Sequence, residues 1–332
     1  MADSSLRSDE QLKFGIFMHW GIYSIPAYNP ERKVKKLAYN GSEWYLARLK
    51  NTFLYKKKTV DYHAENYPGV DYHDFLQQFE EEVEQFDSEK LMDIIEKTGA
   101  QYIVITTKHH DGVSLYPSKY GRYHTTRDLI GEIAESARKR GIVFGLYYSL
   151  MEWTPDYSRG YKKVRHYITN VMIPQMKELV EKYKPRIFWT DGDWNHKPET
   201  WKTVEFLDWL FEESSVRDFV TINDRWGKKN TVSDDPKYKD RMVRNMGDRY
   251  IPERKEEQPW EHCTTVSQSW GYARNQKDTD YKTPRQLELL MGRVLKKGGR
   301  LLLNVGLRPD GTMDPKEQKA LEGTNFKKCL KQ

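Results

Sequence analysis

Arg186-Ile187-Phe188-Trp189-Thr190-Asp191-Gly192-Asp193-Trp194 is a short apolar run that ends on an acid, breaks at a glycine and has a tryptophan on either side of that acid. Residues 186–189 have the apolar and aromatic character of a buried strand, and Gly192 marks its end. A carboxylate at a strand tip between indole rings suits a sugar. The ring faces stack on the apolar face of a pyranose, and the acid meets the anomeric carbon. An Asp capping the next helix, between tryptophans that belong to the core, has the same local sequence, so the surrounding chain has to decide.

Five further runs have strand character: Leu12–Met18, Tyr102–Thr107, Ile142–Ser149, Phe219–Asn223 and Arg300–Gly306. Helical periodicity lies between them over Asp87–Thr98, Arg127–Arg140, Tyr161–Tyr183, Thr200–Glu213 and Thr283–Lys297, with Pro174 expected to kink the third. Gly99, Gly141 and Gly298 fall just past helix ends, where a left-handed cap is needed. Near-continuous apolar strands alternating with helices indicate a parallel sheet. No GxGxxG or Walker loop follows the first strand, which favours a TIM-like (β/α) barrel over a doubly wound nucleotide fold. Ile25–Tyr72 and Lys228–Pro259 break the alternation and read as long loops of functional type, so irregularity is expected there. The barrel is assigned to residues 1–315 and a C-terminal helix or tail to 316–332.

The 332 residues carry a net charge of +6, with 10 Trp, 22 Tyr and 12 Phe. The basic runs around Lys33–Lys36 and Lys56–Lys58 are offset by Glu80–Glu84, and no basic stripe or nucleic-acid motif is present, so no nucleic-acid partner is expected. Cys263 and Cys329 make no disulfide framework. No run is long enough to span a bilayer, and Met1–Lys13 has no apolar segment of signal-peptide type. A membrane partner is therefore not expected, and a cytoplasmic location is favoured unless a leader has been removed. Oligomeric state is not encoded in any pattern here.

In a barrel, chemistry sits at the C-terminal ends of strands. Those ends are His19-Trp20-Gly21, Lys108-His109-His110-Asp111-Gly112, Tyr147-Tyr148 with Glu152-Trp153, Trp189-Thr190-Asp191 and Asn223-Asp224-Arg225-Trp226. Each can grip a polyol. Neighbouring histidines on a strand point in opposite directions, so His109 and His110 are expected to chelate poorly as a pair. With no HxH or HExxH either, no metal and no cofactor is expected. A serine-nucleophile elbow is also missing.

The chain resembles the α-L-fucosidases of glycoside hydrolase family 29. The resemblance is carried by Phe14–Gly21, Gly41–Tyr45, Thr107–Gly112, Gly145–Ser149, Phe188–Gly192, Asn223–Gly227, Trp260-Glu261, Ser269–Tyr272 and Gly298–Gly306, in that order along the chain. It implies a retaining exo-hydrolase that removes terminal α-L-fucose from a fucosylated oligosaccharide or glycoconjugate. It implies Asp191 as nucleophile. It also implies a fucose pocket lined by His19, Glu43, Trp44, His109, His110, Tyr147, Trp189 and Arg225, with Trp270 adding apolar surface.

The family's acid/base lies in the variable segment after Asn223–Trp226, here Gly247–Glu253. The resemblance to bacterial-type members favours Glu253; Asp248 is the alternative, by resemblance to the animal lysosomal type. Glu261 reads as structural or substrate-orienting. Relatives carry a β-sandwich after the barrel, whereas the residues beyond Gly306 leave room for one helix and a tail, so a barrel without that sandwich is expected. Two other readings remain open: a fucose-binding lectin derived from an inactive hydrolase, and a glycosidase for a related L-sugar such as L-galactose.

Overall fold

Eight parallel strands form the centre of the protein: β1 (Phe14–His19), β2 (Tyr102–Lys108), β3 (Val143–Ser149), β4 (Ile187–Asp191), β5 (Thr221–Asn223), β6 (Met242–Val243), β7 (Glu261–Thr265) and β8 (Arg300–Gly306). The structure, a computed structural model, describes residues 12–30, 41–50, 56–157, 160–229, 232 and 235–331. Each strand pairs with its sequence neighbour, except that β6 and β7 are joined only by the single parallel bridge Arg244–Trp260. β1 pairs with β8, bringing His19 beside Gly306. The result is a (β/α)8 TIM-like barrel, as the alternation predicts.

Strand parity decides what the barrel contains. Phe17, Tyr102, Val104, Val143, Tyr147, Ile187, Trp189, Cys263 and Leu302 form one buried cluster that fills the interior. Their neighbours Ile16, Met18, Ile103, Ile105, Phe144, Leu146, Phe188, Leu301 and Leu303 belong to a second cluster with the helices. Period-2 alternation therefore divides β1 to β4 and β8 between an inner and an outer core. Asp191 shares parity with Ile187 and Trp189, and His19 with Phe17, so both point over the interior at its C-terminal end.

The helices start where the chain supplies caps. Asp87 accepts from the backbone of Glu89 and Lys90 at the head of Ser88–Thr98, and Asp128 does so from Gly131 at Leu129–Lys139. Thr283 and Gln286 make a capping box for Pro284–Lys296. Pro174, expected to kink its helix, is accommodated by a change of helix type. A π-helical stretch, Ile168–Met172, precedes it, and Pro174 falls in the first turn of Ile173–Tyr183, where a missing N–H is harmless.

Two of the barrel strands were not predicted. β6 is two residues long within a charged segment, and β7 (Glu-His-Cys-Thr-Thr) has no apolar run because its inward positions carry Glu261 and Cys263. The stretch 25–72 is not simply a loop. Its described part holds a 3-10 turn at Ser42–Trp44 and helices at Tyr45–Leu49 and Lys56–Asn66. Residues 33–36 lie outside the described part. Beyond the barrel strands, helices Pro315–Glu322 and Phe326–Cys329 pack back on it, with Phe326 against Phe14 at 4.5 Å between ring centroids. Among the described residues no helix is long and apolar enough to cross a membrane.

Gly145 lies in the inner register of β3, where a Cβ would sit 2.9 Å from the Ile103 carbonyl oxygen and 2.9 Å from Ile187 Cβ. Gly145→Ala is expected to destabilise the fold by about 1–3 kcal/mol through overpacking. The check is the urea midpoint, and an unchanged midpoint would contradict the interior packing described.

Candidate active site

Asp191 is the last residue of β4, and Gly192 after it takes φ +72 in a turn where a Cβ would lie 2.7 Å from Ser149 Oγ. That turn leaves the Asp191 carboxylate over the barrel mouth, nearly buried. Oδ1 accepts from Arg225 Nη1 at 2.9 Å and Oδ2 accepts from the Tyr147 hydroxyl at 3.0 Å. Burial works against ionisation, but Arg225 and the Tyr147 hydroxyl outweigh it and hold the carboxyl below the usual range.

Arg225 is shared between two carboxylates. Its Nη1 holds Asp191, and its Nη2 donates to Asp248 Oδ1 and to Asn245 Oδ1. The guanidinium lies over the Trp189 ring, 4.8 Å from its centroid. Trp189 is fixed in turn from inside the barrel: its indole N–H donates to Glu261 Oε1 at 2.9 Å. Glu261 Oε2 accepts from Tyr102 and from Arg300 Nε, both at 2.8 Å. Glu261 is thus a buried, fully engaged carboxylate that orients the floor of the site.

The hydrogen-bond network also sets the histidine tautomers. Ser149 Oγ donates to the Met151 carbonyl at 2.5 Å, so it must accept from His110 Nδ1, also at 2.5 Å. The Asn304 amide N–H donates to the Trp270 carbonyl at 2.7 Å, so Asn304 Oδ1 accepts from His19 Nδ1 at 2.5 Å. In both rings Nε2 is then left with a lone pair. Burial pushes His19 and His110 down to about 4, so both are neutral near pH 7. His109 Nδ1 and Glu43 Oε1 are buried with no hydrogen-bond partner among the described residues. Glu43 Oε2 accepts from the Gly271 N–H at 2.9 Å, and burial raises its carboxyl above the usual range. The fit is close: a Cβ on Gly41 would stand 1.9 Å from Glu43 Oε2.

These groups line one cavity of about 80 Å³, open on one side. One water needs roughly 10–15 Å³ on that scale, so the space suits a single sugar ring. Its walls are Phe17, His19, Glu43, Trp44, His109, His110, Tyr147, Trp189, Asp191, Trp194, Arg225, Asp248 and Trp270. Every residue expected at the site is therefore there except Glu253. That side chain is exposed and outside the lining, and its backbone carbonyl accepts from Lys297 Nζ at 3.0 Å. The reason is the chain path. After Asp248 the segment leaves the C-terminal face and runs down to the start of β7, meeting Lys297 just before β8 begins.

His109 and His110 do not diverge as strand neighbours would. The β2–β3 register shifts between Thr106 and Lys108, β2 ends at Lys108, and both imidazoles reach the cavity with centroids 4.2 Å apart. Beneath them Lys108 and Glu152 form a buried ion pair at 3.0 Å, and the Trp153 N–H donates to the His110 carbonyl at 2.6 Å. Phe17, Ser149 and Asn245 were not expected at the site. Phe17 and Ser149 follow from strand parity and strand ends, whereas Asn245 lies in a charged stretch without any pattern. Among the described residues no group of three or more His, Cys, Asp or Glu side chains is placed to hold a metal ion.

A polar-lined cavity with aromatic walls, an ionised carboxylate inside and a second carboxyl group at the rim can hold a polyol ring and act on its anomeric carbon. A family model described as Alpha-L-fucosidase matches residues 4–325. The chain is 35% identical to a tissue alpha-L-fucosidase of Rattus norvegicus over 94% of this chain and 65% of that protein. It is 34% identical to an alpha-L-fucosidase of Dictyostelium discoideum over 92% of this chain and 65% of that protein. It thus spans about 65% of the length of these relatives. Among solved structures, Thermotoga maritima alpha-fucosidase in complex with fucose superposes with a TM-score of 0.74 at 29% identity, covering 95% of this chain and 71% of that one. The chain belongs to the alpha-L-fucosidase family.

Proposed function

We propose that the protein hydrolyses terminal α-L-fucosides of glycans with retention of configuration, with Asp191 as nucleophile and Asp248 as acid/base. The observation that carries this reading is the Arg225 fork, with Asp191 on one nitrogen and Asp248 on the other. Retaining glycosidases need two carboxyl groups about 5–5.5 Å apart. A single guanidinium holding both accounts for a short spacing. Asp248 is the carboxylate at the open side, its side chain 42% exposed, where a leaving group must depart; Asp191 is only 14% exposed.

The chemistry follows in two steps. An Asp191 oxygen attacks the anomeric carbon as the glycosidic C–O bond breaks, and the Asp248 proton passes to the departing oxygen. With Oδ1 in the guanidinium fork, Oδ2 of Asp248 is the oxygen that carries that proton. Water, losing its proton to Asp248, then attacks the same carbon and releases Asp191. Neutral His19 and His110 accept from sugar hydroxyls through Nε2, and Glu43 and His109 supply the remaining unpartnered polar atoms. Phe17, Tyr147, Trp189 and Trp270 form the apolar wall.

One observation favours a second assignment of the acid: Glu43 is a buried carboxyl with its acidity weakened. Its place well inside the cavity, bonded to Gly271, favours a role in holding hydroxyls. The two roles separate in chemical rescue.

Asp191→Gly is expected to abolish turnover of an aryl α-L-fucoside, with added azide restoring it as the β-fucosyl azide. Aryl β-galactoside and aryl α-mannoside controls should stay inert, and binding of fucose without any turnover would support the lectin reading instead. Asp248→Ala should lose about 10²–10⁴-fold on poor leaving groups and be rescued by azide as the α-fucosyl azide. Glu253→Ala should stay close to wild type, and rescue of Glu43→Ala rather than Asp248→Ala would reassign the acid.

The Asp191 carboxyl must be ionised to attack, and its pKa lies below the usual value, so activity should persist as pH falls towards about 4. Removing the cation favours the protonated acid. Arg225→Met should therefore move the acidic limb of kcat/KM up by about 1–3 pH units. An unmoved limb would show that Arg225 does not set the ionisation of Asp191.

A further inference from the structure

Helix Pro315–Glu322 lies beyond the last barrel strand and adds no residue to the sugar-sized cavity, yet it buries an acid. Glu317 is only 2% exposed. Burying a carboxyl costs free energy unless its oxygens are bonded, and both partners of this one lead towards the cavity. Oε2 accepts from the N–H of Gly306, the last residue of β8, at 2.8 Å. The other partner is the side chain of Ser267, just past the end of β7. Ser267 Oγ donates its one proton to the Ser269 carbonyl at 3.2 Å. Towards Glu317 it is therefore an acceptor, and the acid that meets it carries a proton.

Gly306 sits opposite His19 in the register of β1 with β8, and a Cβ on it would stand 2.3 Å from the Tyr272 nitrogen and 2.7 Å from the Gly271 carbonyl carbon. The end of β8 is thus seated directly on the backbone of 271–272. Three groups of the cavity depend on that contact. Asn304, on the same strand, holds His19 Nδ1 and the Trp270 carbonyl. The Gly271 N–H and the Ser269 hydroxyl donate to Glu43 Oε2 at 2.9 and 3.4 Å. A shift of Gly306 or of Ser267 passes to His19, Trp270 and Glu43, because close-packed backbone transmits displacement rather than absorbing it.

We infer that Glu317 is a positioning residue for the fucose pocket, fixing the ends of β7 and β8 and through them His19, Trp270 and Glu43. This rests on the α-L-fucosidase reading and adds to it a residue outside the cavity. Glu317 acts as the neutral acid. Burial pushes its carboxyl up to about 8; Asp314 adds to the rise, while Ser267, the Gly306 N–H and Lys282 oppose it. Asp314 caps the same helix and accepts from the Tyr281 hydroxyl at 2.6 Å, and Lys282 donates to the Thr265 carbonyl. Asp314, Tyr281 and Lys282 are the titratable groups that face Glu317, from its own helix and from the segment leading into Pro284–Lys296. The folded value lies above the ordinary carboxyl value of 4.5, so the stability lent by the neutral acid is complete below that pH and is lost as pH rises through about 8. Ionisation then places a charge beneath the ends of β7 and β8.

The test is the dissociation constant of L-fucose, measured by calorimetry at about pH 7 and about pH 9, for wild type, Glu317→Gln and Glu317→Ala. Glutamine keeps an acceptor for Gly306 and a donor for Ser267 but cannot ionise. Wild type is expected to bind about tenfold more weakly at the higher pH, whereas Glu317→Gln should match wild type at the lower pH and lose little at the higher. Glu317→Ala should bind about tenfold more weakly than wild type already at the lower pH. Every other group titrates alike in wild type and Glu317→Gln, so their difference reads Glu317 alone. A Glu317→Gln protein with the pH dependence of wild type overturns the proposal, as does a folded Glu317→Ala protein that binds fucose as wild type does. Should Glu317→Ala fail to fold, the glutamine comparison decides by itself. A wild type that binds no fucose at the lower pH defeats the fucose pocket itself and this proposal with it.

Discussion

One guanidinium between two carboxylates is the interaction on which the rest of the site depends. Two carboxyl groups close enough to act on one anomeric carbon would share a proton if left alone, because like charges at that distance disfavour double ionisation. Arg225 gives each a separate nitrogen: Nη1 pairs with the ionised Asp191, and Nη2 holds Oδ1 of Asp248, leaving Oδ2 for the proton of the proposed acid. A flexible ammonium could not hold both oxygens in fixed directions; a planar fork can. The fork must itself be held still, and that falls to Trp189 beneath it, fixed by Glu261, which is in turn fixed by Tyr102 and Arg300. A chain of contacts thus runs from the middle of the barrel to the reacting groups.

Burial then selects the polarity of the cavity. The imidazoles are too well enclosed to charge near neutral pH, and Ser149 and Asn304 each take an Nδ1 proton, which leaves acceptors facing the cavity. A ring rich in hydroxyl donors matches that surface, whereas an anion would not. The concentration of negative charge at Asp191 is tolerated only because Arg225 and Tyr147 compensate it. The lining therefore offers acceptors that fit a neutral, hydroxyl-rich ring, a match set by hydrogen-bond direction as much as by shape.

Much of this was legible from residues. The apolar runs that became β1 to β5 and β8, the helical periodicity between them, and the left-handed cap at Gly99 are local signals with local causes, and the fold honours them. The strand-tip rule located His19, His109, His110, Tyr147, Asp191 and Arg225 at one end of a barrel. β6 and β7 were not legible. A two-residue strand has no periodicity, and a strand whose inward residues include a buried Glu does not look apolar. Glu253 illustrates the same limit. It is an acid in the right segment, but the backbone has already turned away from the site at that point.

The chain by itself determined the strand and helix alternation, the parity that points Asp191 inward, and the family to which the resemblance belongs, because these follow from side-chain pattern over short windows. Only the tertiary structure decided which second carboxylate shares Arg225 with Asp191 and which histidine nitrogen carries a proton. Those depend on contacts between residues far apart in sequence, such as Arg225 with Asp248 or Trp189 with Glu261, and no local pattern records where distant segments converge.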